Sequence, residues 1–172
     1  QESYVGQGRK RYLNMLEIVK EPTESLRQPS KELDADFILS DEIQKLLKEM
    51  TLTMYQDDGI GLAAPQVGKN IRICVIGKEA NLDSEDDLIL INPVWQKTSR
   101  RKLVDIEGCL SVPKTYGKVK RYKSIHVEAL NKKGDLIEFE AQDFLARVIQ
   151  HEVDHLDGIL FIDKAKDIYT TE

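Results

Sequence analysis

The chain has 172 residues, a formal net charge of −5, and 41% hydrophobic and 32% charged residues, a composition that suits one globular domain whose core needs no disulfides. It argues against a protein that grips nucleic acid through a dominant basic face, and no apolar run nears the roughly 20 residues that cross a bilayer. Two cysteines, Cys74 and Cys109, are too few for a disulfide scaffold.

Residues 1–13 are polar, contain glycine and lack periodicity, so they read as a flexible arm. A single domain is expected over 14–165, with 166–172 as a C-terminal tail. Pro22 and Pro29 mark an extended, turning segment, because proline fixes φ and removes a donor. Ser40 is placed to cap a helix, and Asp41 and Glu42 add favourable charge there. Ile43, Leu46, Leu47, Met50 and Met54 then recur at helical spacing, which predicts a helix over Asp41–Gln56.

Gly59-Ile60-Gly61-Leu62-Ala63-Ala64-Pro65-Gln66 follows as a loop of small residues. Segments 71–76 and 88–92 are strands by β-branched content, with a solvated acidic loop at 83–87 between them. Segments 94–98 and 102–106 are expected to pair across the basic turn Ser99-Arg100-Arg101-Lys102. Further strands are predicted at 118–122, 124–131 and 136–141, the last two joined by the turn Lys132-Lys133-Gly134. Phe144, Leu145, Val148, Ile149 and Val153 give the final helix its apolar stripe, and Gly158 ends it. Short strands followed by a helix predict an α+β domain.

That helix carries His151-Glu152-Val153-Asp154-His155. Histidines at i and i+4 project from one face and can hold one metal ion, with Glu152 beside them as a base. Catalytic sites of this kind take three protein ligands and leave a position open. Phe161 stands where one zinc-protease pattern needs a third histidine, and the only later glutamate is the terminal Glu172, so the third ligand is expected upstream. Cys109, in Glu107-Gly108-Cys109-Leu110-Ser111, is the best candidate. Taken by itself the tripeptide around Cys109 favours a small buried apolar cysteine instead, a reading that fits Cys74, in the apolar run 71–76, far better. His126 has no partner at ligand spacing. The glycine loop lacks the Gly-Lys-Ser/Thr ending of a phosphate cradle, which leaves it as a tight connection or as backbone that a substrate can approach.

Together, Gly59 to Gln66, Glu107 to Ser111 and Gln150-His151-Glu152-Val153-Asp154-His155 resemble the three signature motifs of peptide deformylases, in the family's order. The resemblance implies an α+β fold with mixed or antiparallel sheets packed around the C-terminal metal-binding helix, and a second helix nearer the N-terminus. It implies Cys109, His151 and His155 as metal ligands, Glu152 as general acid/base, and Gln66 with the backbone amide of Leu110 as oxyanion donors. Ile60, Gly61 and Leu62 would pair with an extended substrate, and Val148 would wall the methionine pocket. The expected cofactor is one Fe(II) per chain, with Zn, Ni or Co able to replace it. The implied reaction is hydrolysis of the N-formyl group from formyl-methionine on nascent polypeptides, releasing formate. A transient ribosome encounter is expected, with no direct nucleic-acid binding and no membrane, in a bacterial cytoplasm or the lumen of a bacterially derived organelle. Lys114 departs from the resemblance, standing where many relatives carry glycine. The competing readings are a zinc endopeptidase with an unusual ligand set and a binding module with a structural metal.

Overall fold

The structure, a computed structural model, describes residues 13–172. All of the expected N-terminal arm except its last residue lies outside the described residues. After a short helix α1 (Ala35–Ile38), helix α2 (Asp41–Gln56) starts where the capping signal placed it: the Ser40 hydroxyl accepts from the Ile43 amide at 3.3 Å. Its stripe of Ile43, Leu46, Leu47, Met50 and Met54 is buried.

Strands β1 (Gly61–Ala63), β2 (Ile73–Ile76), β3 (Leu88–Lys97), β6 (Ser124–Leu130) and β7 (Leu136–Gln142) form one sheet in that order. Strands β4 (Lys102–Cys109), β5 (Val112–Tyr122) and β8 (Lys166–Thr170) form a second. Every strand pairing is antiparallel. Helix α3 (Asp143–Leu156) packs on one face of the larger sheet and α2 on the other. Side-chain alternation sorts the residues: Cys74, Ile76 and Leu90 face α3, whereas Ile73, Val75 and Ile91 face α2. Because both faces are covered, β2 reads as an unbroken apolar run rather than an alternating one. Each such fully buried side chain contributes about 1.5–3 kcal/mol.

The expected pairing of 94–98 with 102–106 does not occur. Residues 88–97 form one strand, bulged between Ile91 and Val94, and its distal half pairs with β6. The bulge is held by Asn92, at φ 51°, whose side chain bonds both the amide and the carbonyl of Leu33 at 2.8 Å. β4 pairs instead with β5. The basic segment 99–101 is therefore a corner, not a hairpin turn. Thr98 N donates to Ser124 O at 3.1 Å and Lys123 N donates to Arg101 O at 2.9 Å, so both chains of one long ribbon bend together from the first sheet into the second.

The far end of that ribbon is a two-residue turn, Leu110-Ser111, with Cys109 opposite Val112. β5 starts earlier than the expected 118–122, and a bulge lets it continue past Pro113. The segment 166–172, set apart as a tail in the sequence reading, carries the exposed strand β8 paired on β5.

Candidate metal centre

α3 threads between the two sheets and carries polar residues inward that its apolar stripe does not announce. Arg147, Gln150, Glu152, Asp154 and His155 are all buried. Gln150 accepts from Tyr122 N at 3.0 Å and donates to Tyr122 O at 2.8 Å, which fastens the helix to β5. Arg121, on β5, donates to Glu107 through Nε at 2.9 Å and Nη2 at 2.8 Å, and also to Asp154. Asp154 is met from its other side by Lys164 at 2.7 Å. Buried charges of both signs are thus paired and hydrogen-bonded, the condition under which such groups are tolerated.

This lattice aims the histidines. His151 Nδ1 lies 2.9 Å from Glu107 Oε2, which fixes the ring and turns Nε2 toward the cleft. Cys109, at the ribbon tip, places Sγ 3.3 Å from His155 Nε2, which is itself 3.3 Å from His151 Nε2. All three donor atoms lie within 4.8 Å of one another. A tetrahedral ion with N and S ligands at about 2.0–2.3 Å separates its donors by about 3.3–3.6 Å. The spacing and the donor chemistry therefore both fit one divalent metal. Phe161, which replaces the histidine of the zinc-protease pattern, stacks on the His151 ring with centroids 6.2 Å apart.

Electrostatics agree with the geometry. Burial pushes the Cys109 thiol up, but His155 and His151 outweigh it and hold the group well below its ordinary value, as a thiolate. Burial would lower His151, yet its hydrogen bonds to Cys109 and Glu107 raise it to about 10. Burial would raise Glu107, and Arg121 and His151 instead hold it far below the usual carboxylate range. The negative thiolate that attracts a proton to His151 is the charge a divalent cation would pair with.

Glu152 is buried, and burial raises its carboxyl above the ordinary value against the pull of His151 and His155. Its Oε2 has no hydrogen-bond partner among the described residues, so a proton-bearing ligand can be received there. The carboxylate fits only because Gly61 has no side chain: a Cβ at that position would stand 2.3 Å from Glu152 Oε1. Gln66 is oriented by Ala63 N, which donates to its Oε1 at 2.9 Å; Nε2 then faces Ser111 Oγ at 3.2 Å and Cys109 Sγ at 3.4 Å.

A cleft of about 630 Å³ opens over these groups, lined among others by Ile60, Gly61, Leu110, Val148 and His151. Leu62 does not line it. Its side chain is fully buried against α2, because alternation in β1 sends it to the opposite face from Ala63. The residues that sequence reasoning passed over are Glu107, Arg121, Arg147 and the wall residues Ile106 and Phe144. For Glu107 a signal existed: a carboxylate two residues before a candidate thiolate on a strand shares its face.

Comparison with known proteins identifies the family. The polypeptide deformylase family pattern matches residues 15–170. Peptide deformylase 2 of Gloeobacter violaceus is 44% identical over 142 residues, covering 83% of this chain and 74% of that protein. The chloroplastic peptide deformylase 1B of Solanum lycopersicum is 41% identical over 152 residues, covering 88% of this chain and 53% of that one. The Met-Ala-Ser-bound crystal structure of class I type b peptide deformylase from Acinetobacter baumannii superposes with a TM-score of 0.83 at 32% identity, covering 89% of this chain and 99% of that chain. The chain belongs to the polypeptide deformylase family.

Proposed function

We propose that the protein hydrolyses the N-formyl group from formyl-methionine at the start of nascent polypeptides, with Cys109, His151 and His155 holding one divalent metal, Fe(II) first and Zn, Ni or Co as alternatives. The observation that carries this reading is the convergence of those three donor atoms within 4.8 Å beside a buried glutamate, at the floor of a peptide-sized cleft. When bound, the metal supplies Lewis acidity and an acidified water.

The chain's own residues do the rest. Glu152 accepts the proton of the attacking water; its raised carboxyl suits it to hold that proton and hand it to the leaving amine. Gln66 Nε2 and the Leu110 amide donate to the formyl oxygen as it becomes negative, and each such donor is worth about 3–4 kcal/mol in a preorganised site. Ile60 and Gly61 line the cleft beside the extended substrate, and Val148 walls the methionine side chain; for Leu62 only the backbone is left to take part. The Acinetobacter relative is bound to the tripeptide Met-Ala-Ser, the kind of product this reaction leaves. Formylated chains place the work in a bacterial cytoplasm or in an organelle of bacterial descent. Bacterial and chloroplastic relatives support both.

The test is formate release from a formyl-Met tripeptide by protein prepared without oxygen. Release that a chelator abolishes and added metal restores is expected; cleavage of blocked, unformylated peptides without formate release would overturn the reading in favour of an endopeptidase.

A further inference from the structure

The corner where the β3–β4 and β5–β6 chains bend holds a second concavity, of about 320 Å³, lined by Trp95, Lys102, Lys120, Arg121, Tyr122, Gln150 and Lys164. It is built differently from the cleft. Trp95 and Tyr122 meet at 5.9 Å between centroids, tilted by 56°. The Lys102 ammonium rests 4.3 Å from the centre of the Tyr122 ring and that of Lys97 rests 5.5 Å from it. Arg100 and Arg101 stand at the apex of the same corner, exposed. The carboxylate beneath, Asp154, is taken up by Arg121 and Lys164. Lys97, Arg100, Arg101, Lys102 and Lys120 make no ion pair among the described residues. In a chain with a net charge of −5 this concentration is a segregation of charge, not a reflection of composition.

Cations parked on an aromatic face are held weakly at an exposed site and are free to leave it for a stronger anion. Register shows what that anion must look like. Lys102 lies opposite Tyr122 and Val104 opposite Lys120, so Lys120 is displaced from Lys102 by two residues along the ribbon, about 7 Å. That is comparable with the reach between successive phosphates of an extended strand. When phosphates draw Lys97 and Lys102 aside, the Tyr122 face becomes free to stack a base, the pairing of cationic groove and aromatic platform that single-stranded nucleic acid uses.

We propose that this corner binds single-stranded RNA, with Lys97, Lys102 and Lys120 on phosphates and Tyr122 stacked on a base. The negative net charge argues against nucleic acid only while the cations are taken as evenly spread, and the ribbon's bend gathers them. The site lies apart from the cleft and shares no lining residue with the metal ligands.

The experiment is fluorescence anisotropy of a labelled mixed-sequence RNA of about 12 nucleotides with the full chain, at low and at physiological salt, alongside formate release. Binding is expected that weakens with salt, falls about tenfold or more in K97Q/K102Q/K120Q and about tenfold in Y122L, with formate release unchanged. No binding at low salt, or equal binding by the triple variant, would overturn the proposal. Heparin bound as tightly as RNA and indifferent to Y122L would also overturn it, leaving a plain polyanion patch. Formate release separately reports on the cleft, so failure of either reading is visible without the other.

Discussion

The inner face of the long ribbon and the exposed surface of its corner are made from the same pair of chains and solve opposite problems. On the inner face, from Glu107 near the tip back to Arg121 beside the corner, charged groups are buried, and Glu107, Arg121, Arg147 and Asp154 each find partners in a closed lattice. At the corner, Lys97 and Lys102 lie exposed over the Tyr122 ring and make no ion pair among the described residues. The inner face is rigid because releasing any one member strands another in low dielectric, at a cost of about 3–5 kcal/mol. The corner can reorganise because each of its contacts is weak. A site for bond chemistry needs the first property, and a surface that greets a long flexible anion is served by the second.

The contrast is broken most forcefully at Glu152. Glu152→Gln keeps the shape and removes the base, so kcat for formate release is expected to fall by about 10²–10⁴ with metal content intact. A variant near parental activity would remove Glu152 from the mechanism. Gly61→Ala comes next. The added Cβ overlaps the Glu152 carboxylate, and a displacement of that kind costs about 100-fold in rate. Thermal stability and metal content measured beside kcat separate a misplaced base from a misfolded site; unaltered kcat would show that β1 does not crowd Glu152.

Glu107→Gln tests whether the lattice serves the metal. It weakens the hold on His151 Nδ1 and leaves Arg121 and Arg147 short of a counter-charge. Metal affinity, read by competition with a chelating dye, should drop about 10–100-fold, together with a lower Tm. Undiminished affinity would make the lattice structural only. The smallest effect is at Lys114, which sits at φ 57° on the cleft rim. Lys114→Gly relieves left-handed strain of about 1–2 kcal/mol and gives back about 0.5–1 kcal/mol in unfolded-chain entropy. The net is a gain below about 1.5 kcal/mol, seen as a Tm rise of a few degrees; a fall would show that the lysine side chain contributes packing there.

What was legible in the sequence follows the same division. α2 and α3 could be read because one face of each is apolar at helical spacing, and the pairing of His151 with His155 because they lie one helix turn apart. The partner strands of β3 and β4 could not be read. Ser99-Arg100-Arg101-Lys102 looks like any polar turn, and only the register of β6 and β5 shows that the chain changes sheets there. β8 is exposed along its whole length, so it carries no alternation to detect. The side of the sheet that Leu62 takes depends on β1 pairing with β2, and a three-residue strand has too short a pattern to declare it. Glu107 and Arg121 are 14 positions apart and meet only because β4 and β5 pair.

The central claim is that Cys109, His151 and His155 together hold the working metal, and X-ray absorption at the metal edge on anaerobically prepared protein tests it most directly. The account predicts one sulfur at about 2.3 Å and two imidazole nitrogens at about 2.0–2.1 Å around roughly one metal per chain, with a further light-atom position that exchanges with solvent. A shell without sulfur, or one closed by a fourth protein ligand, would contradict it.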